Sequence, residues 1–291
     1  MKLVTFRQDG RCRIGVVDGE EVVDLAAAAP DLPTEMVAFL EAGDPALQAA
    51  HAALGTGPRL PLADVKLEAP ILRPPKFLAV GLNYADHVAE GGLETPVHPM
   101  IFNKQSTCVV GPTDPVHLPR ASHVLDYECE LGFVIGRRCR HVAREDAADV
   151  IAGYTAVNDV TVRDWQLRVA TWTMGKSFDT HGPIGPWIVT ADELPDPHQL
   201  RIRTLVNGEL RQESNTKELI FDCFALVEHL STAFTLEPGD VIATGTPGGV
   251  GIAMKPPRLL VAGDVVRVEV EGIGALENPI IDEPADTARI G

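Results

Sequence analysis

The sequence predicts a β-rich α+β fold. Three observations carry that expectation. Short apolar or alternating runs of strand length recur along most of the chain, at residues 131–135, 151–157, 188–190, 202–206, 241–244 and 265–270. Helical periods are few. Strands and helices do not alternate regularly, as a doubly wound parallel sheet would require.

In chain order, residues 2–6, 13–17 and 21–25 read as short strands. Asp9-Gly10 and Asp18-Gly19 are turn signals between them. Residues 34–54 read as one or two helices, with Thr34 as a cap. Residues 55–75 are rich in proline and glycine and have no strong period, which predicts a linker. The expected organisation is therefore a small N-terminal domain, residues 1–70, and a larger domain, residues 71–291. In the larger part, Asn207-Gly208 is a strong hairpin turn. The main helices are expected at 146–152, 162–170 and 220–233.

Composition narrows the function classes. The 291 residues are 45% hydrophobic, enough for a substantial core. A formal net charge of −16 with no visible basic stripe argues against nucleic-acid binding. Five scattered cysteines without a Cys-x-x-Cys pair read as reduced thiols rather than a disulfide frame or a zinc site. The N-terminus lacks the apolar core of a signal peptide, and no apolar run approaches a membrane span, so a cytoplasmic protein is expected. No Gly-x-Ser-x-Gly elbow and no His-Glu-x-x-His motif is present, which disfavours a serine hydrolase and a zinc protease.

The chemistry centres on Asp126-Tyr127-Glu128-Cys129-Glu130-Leu131. Side chains alternate along a strand, so Glu128 and Glu130 share a face. Two neighbouring carboxylates repel unless water solvates them or a cation sits between them. The apolar run that follows speaks against full solvation, and a hard divalent cation, Mg²⁺ or Mn²⁺, takes oxygen ligands. A bare Glu-x-Glu is nevertheless more often a solvated strand face. Asp159, at the end of an apolar strand, is a third candidate ligand. Three further stretches could contribute. In Gly81-Leu82-Asn83-Tyr84-Ala85-Asp86-His87-Val88-Ala89-Glu90-Gly91-Gly92, Asn83 could cap a short helix that Gly91 ends. His87 and Glu90 then share a face, either as a surface pair or as a carboxylate-oriented base. Lys176, in a stretch bounded by glycine and proline, could meet an oxyanion or simply be solvated. His181 reads as structural or exposed. The Gly245-Thr246-Pro247-Gly248-Gly249 turn could offer backbone N–H groups and the Thr246 hydroxyl to a carboxylate.

Taken in order, Asn83 to Glu90, Asp126 to Leu131, Asn158 to Asp164, Gly175 to Thr180, Val206 to Glu209 and Thr244 to Gly251 resemble the motifs of the fumarylacetoacetate hydrolase family. The resemblance covers residues from about 71 to 280, and the first 70 resemble the small N-terminal domain of bacterial-type members. It implies a mixed β-sandwich roll, a homodimer, and Mg²⁺ or Mn²⁺ held by Glu128, Glu130 and Asp159. It implies a water-activating dyad of His87 and Glu90 on a lid helix, and Lys176 beside the metal stabilising an enolate. Gln166 and Thr246 would contact the 2-oxo acid end of a small-molecule substrate. The expected reaction is metal-dependent C–C hydrolysis of an acylpyruvate-like 2,4-dioxo acid. The alternative is an oxaloacetate-type decarboxylase or an enol–keto isomerase of aromatic-acid breakdown on the same site.

Overall fold

The computed structural model describes residues 1–92 and 94–287. Two mixed sheets dominate them. In the larger, twelve-stranded sheet the main path runs Arg59–Pro61, Glu21–Asp24, Arg11–Asp18, Lys2–Gln8, Gly182–Thr190, Ile151–Asn158, Cys129–Ile135, Val241–Ala243, Phe77–Gly81, Met100–Lys104. The second, five-stranded sheet runs Glu209–Asn215, Arg201–Val206, Val265–Val270, Gly274–Asp282, Val116–Leu118. Most pairs are antiparallel, but Val241–Ala243 runs parallel to Phe77–Gly81, and Gly274–Asp282 runs parallel to Val116–Leu118. The largest core cluster draws on both sheets, joining Leu131, Phe133, Tyr154 and Ala156 to Ile202, Val206, Val266, Val268 and Leu276. This is the expected β-rich α+β sandwich.

The predicted hairpins form where Asp9-Gly10, Asp18-Gly19 and Asn207-Gly208 place them. Asp9 and Asn207 take positive φ, the backbone that Asp, Asn and Gly tolerate best. The first 70 residues share the larger sheet with the rest of the chain. Lys2–Gln8 pairs with Gly182–Thr190 and carries the larger sheet across the predicted boundary. The expected linker is also structured: Arg59–Pro61 pairs with Glu21–Asp24, and Lys66–Leu67 with Lys2–Gln8. Strands of two or three residues are too short to show a period.

Helices are short, as expected, with shifted bounds. Met36–Glu41 is capped by Glu35 rather than Thr34, and Asp44–Ala53 follows it. The expected helix at 146–152 is a 3₁₀ segment, Arg144–Val150, because the apolar run from Ile151 joins the sheet. The helix expected at 162–170 is a single turn, Arg163–Gln166, and the last helix is Cys223–Ala233. Among the described residues no helix is long and apolar enough to cross a membrane, and all five cysteines are free.

Candidate active site

The strand Cys129–Ile135 lies inside the larger sheet, buried along its whole length. Glu128 immediately precedes it and Glu130 is its second residue. Asp159 immediately follows the neighbouring strand Ile151–Asn158, and its N–H donates to the Glu128 carbonyl at 2.9 Å. The Cys129–Asn158 register thus brings the three acids together. All three are buried, and each offers an oxygen within 4.8 Å of the others. The solvated strand face is excluded.

Buried cations interleave these carboxylates. Lys176 Nζ donates to Glu128 Oε2 at 2.6 Å and Asp159 Oδ2 at 2.7 Å. Arg163 donates from Nη1 to Glu128 Oε1 at 2.5 Å and from Nε to Asp126 Oδ2 at 2.9 Å. Lys104 Nζ donates to Asp159 Oδ1 at 2.7 Å and to the carbonyls of Lys176 and His181. Among the described residues Glu130 has no cation of its own. It accepts one backbone N–H, from Gly245 at 2.7 Å. Gly245 sits at φ 107°, and an added Cβ would press on Asn83 and the Val80 carbonyl, so this close approach needs glycine. Gly175 is constrained likewise, because a Cβ there would overlap the Gln166 backbone and displace Lys176.

Proton affinities follow this unequal sharing. Burial alone would raise the Glu128 carboxyl, but Lys176 and then Arg163 overcome it and lower it to about 2. Glu130 is raised well above the ordinary range by burial and by the charges of Asp159 and Glu128. Four carboxylates, Asp126 included, face three cations, and the excess falls on Glu130. A divalent cation among Glu128, Glu130 and Asp159 would supply the missing positive charge through hard oxygen ligands, so the donor set fits Mg²⁺ or Mn²⁺.

Beside this cluster is a cavity of about 50 Å³ lined by His87, Glu128, Arg163, Gln166, Lys176 and Thr246, with Val80, Leu82, Phe102 and Trp172 as its apolar wall. Lys176 Nζ also lies over the Phe102 ring, 5.1 Å from its centroid. His87 and Glu90 share one face of the helix Ala85–Gly91, with Nδ1 3.6 Å from Oε2. Glu90 also accepts from Gly249 N, and Asp86 accepts from Gly248 N at 3.4 Å and from Ser214 Oγ at 2.5 Å, so this helix is held against the glycine turn and the strand Glu209–Asn215. The turn's N–H groups therefore bind the protein's own carboxylates, Glu130, Asp86 and Glu90.

One local expectation is corrected. Asn83 does not cap the helix. Tyr84 holds the N-cap position, while the Asn83 side chain bonds the backbone of Phe221 and Thr244. The helix ends on Gly92 in the left-handed conformation, with Gly91 its last helical residue. His181 is structural: it is fully buried, and burial pushes it down to about 3, so it is neutral.

Lys104, Arg163 and Gln212 escaped the sequence reasoning. Lys104 shares a strand face with Phe102, and a cation on an inward face was its only signal. Arg163 leaves Nη2 buried and without a hydrogen-bond partner among the described residues.

A buried triad of carboxylates crossed by lysines, beside a cavity that an imidazole also lines, is a candidate active site with the donors to hold a hard cation. The model described as fumarylacetoacetate (FAA) hydrolase, C-terminal, matches residues 76–281, and one described as Rv2993c-like, N-terminal, matches residues 1–70. The chain belongs to the fumarylacetoacetate hydrolase family. It is 45% identical over 97% of its length, and 90% of the relative's, to the mitochondrial oxaloacetate tautomerase fahd2 of Xenopus laevis. A solved fumarylacetoacetate hydrolase from psychrophilic Exiguobacterium antarcticum matches with a TM-score of 0.86 at 40% identity, covering 97% of this chain and 100% of that one. A maleylpyruvate hydrolase from Sphingobium sp. SYK-6, solved with manganese (II) ion and pyruvate, matches with a TM-score of 0.83 at 36% identity, covering 98% of this chain and 100% of that one.

Proposed function

We propose that the protein is a divalent-metal-dependent enzyme that forms and protonates the enolate of a short 2-oxo acid, with keto–enol tautomerisation of oxaloacetate as its reaction. The observation that carries this reading is that His87 and Lys176 line one small cavity, a proton carrier and a fixed cation together. The likeness to an oxaloacetate tautomerase along nearly the whole chain supports the same choice.

A cation held by Glu128, Glu130 and Asp159, Mg²⁺ or Mn²⁺, supplies Lewis-acid polarisation of the 2-oxo acid. Lys176, locked by two carboxylates, keeps its ammonium beside the same position and stabilises negative charge on the C2 oxygen. His87 moves the proton at C3, with the Glu90 carboxylate 3.6 Å from its Nδ1 as a nearby negative charge, help worth ~10²–10⁴-fold in rate. The unpartnered Nη2 of Arg163, the Gln166 amide and the Thr246 hydroxyl bind the acid end. Phe102, Trp172 and Leu82 exclude water.

A second reading is C–C hydrolysis of an acylpyruvate-like 2,4-dioxo acid. The His87–Glu90 pair favours it, since a carboxylate-backed imidazole suits deprotonation of water, and it is the chemistry named for the Sphingobium neighbour. With a carboxylate at C4, the same stabilised enolate would permit decarboxylation.

The test incubates the Mn²⁺-loaded protein with enol oxaloacetate and with an acylpyruvate, following the enol absorbance, CO₂ and pyruvate together. The proposal expects loss of enol absorbance without stoichiometric CO₂ or pyruvate. Pyruvate plus a second acid from the acylpyruvate, with the enol untouched, would select hydrolysis. Stoichiometric CO₂ would select decarboxylation.

A further inference from the structure

The hydroxyl of Thr246 has a direction, and Gln212 sets it. Gln212, on the strand Glu209–Asn215 of the second sheet, is 1% exposed and fully bonded. Its Oε1 accepts from the backbone N–H of Cys129 at 3.0 Å and from Thr204 Oγ1 at 2.8 Å. Its Nε2 donates to the Pro247 carbonyl at 2.9 Å and to Thr246 Oγ1 at 2.8 Å. A backbone N–H can only donate and a proline carbonyl can only accept, so these two partners leave the amide one orientation. Thr246 must therefore accept from Gln212. Its own proton finds no acceptor among the described residues, and Thr246 lines the cavity.

We infer that Gln212 is a positioning residue that turns Thr246 into an obligate hydrogen-bond donor toward the carboxylate of the bound 2-oxo acid. The inference rests on the 2-oxo acid reading of the site. It gives the chain a carboxylate-specific donor that carries no charge. The same amide ties the Thr246 turn to Cys129, between Glu128 and Glu130, so the donor and the acidic cluster share one anchor.

The test is a double-mutant cycle on the affinity of the Mn²⁺-loaded protein for pyruvate, measured by calorimetry without turnover. Removing a hydrogen bond to a charged ligand weakens binding on the order of 10-fold. Thr246→Val is expected to lose that factor. Gln212→Met, which removes the donor that fixes the direction of the hydroxyl, is expected to lose about as much. The double variant is expected to bind no worse than Thr246→Val alone. Should Gln212→Met fail to fold, Gln212→Glu serves in the same cycle, since its carboxylate takes the Thr246 proton. Thr246→Ser, which keeps the donor, is expected to bind as the unaltered protein does. Losses that multiply in the double variant, or full affinity in the Gln212 variant, would overturn the inference while leaving the 2-oxo acid reading intact. Failure of the unaltered holoprotein to bind pyruvate would overturn both.

Discussion

Replacing Glu130 with glutamine should make the metal-free protein more stable and the metal-binding protein worse. Glu128 is shared by Lys176 and Arg163, and Asp159 by Lys104 and Lys176. Among the described residues Glu130 has only the Gly245 N–H, and burial with two neighbouring carboxylates opposes its charge. An amide there keeps the Gly245 bond through its oxygen and turns an N–H donor toward Glu128 or Asp159. Relieving one uncompensated buried charge is worth about 1–3 kcal/mol. A 291-residue chain unfolds with an entropy of roughly 0.6 kcal/mol per kelvin, so Glu130→Gln should raise the Tm in EDTA by about 2–5 °C. Losing a direct ligand should weaken Mn²⁺ binding by at least ~100-fold, the upper end of what outer-shell losses cost. Scanning calorimetry with EDTA and with excess Mn²⁺ reads both effects. A lower Tm in EDTA, or an undiminished Mn²⁺-induced rise, would refute the charge-excess argument.

Other outcomes follow from the same geometry. His87→Ala should lower turnover by ~10²–10⁴-fold while Mn²⁺ binding, followed by calorimetry, is unchanged. Lys176→Met should abolish turnover and, in EDTA, destabilise by about 3–5 kcal/mol in denaturant titrations, because Glu128 and Asp159 both lose a buried partner. Stability should depend on pH in opposite senses at the two glutamates. Glu128 has a depressed folded value, so its contribution is complete above about 4.5 and is lost as pH falls toward about 2. Glu130 has a raised one, so the metal-free protein loses stability as pH rises above 4.5 toward the raised value. The contribution of these two groups in EDTA should therefore be greatest in mild acid, and Mn²⁺, which offsets the negative charge of Glu130, should reduce the loss at higher pH. Finally, we propose that residues 71–291 alone will form larger assemblies than the full chain does at the same concentration, because removing Lys2–Gln8 bares the Gly182–Thr190 edge, which light scattering on the two proteins would detect.

The acidic triad was legible because a strand's two-residue period puts Glu128 and Glu130 on one face, and because Asp159 follows a long apolar strand. The hairpins were legible because Asn-Gly and Asp-Gly specify a backbone shape locally. What sequence reasoning could not reach depended on partners far along the chain. Asn83 looks like a cap until Phe221 and Thr244 come within reach. Lys104 and Gln212 are single polar residues in short strands, and their roles exist only once Asp159, Cys129 and Thr246 are beside them. The two short strands within residues 55–75 were illegible for a related reason: they are held by their neighbours, not by any period of their own.

The most direct measurement is the incorporation of deuterium into the methyl group of pyruvate in D₂O, followed by mass spectrometry with the Mn²⁺-loaded protein. A site that forms the enolate should exchange these protons, and the exchange should vanish with EDTA, with Lys176→Met and with His87→Ala. Pyruvate that binds the holoprotein yet keeps its methyl protons at the rate of buffer alone would contradict enolate chemistry at this site.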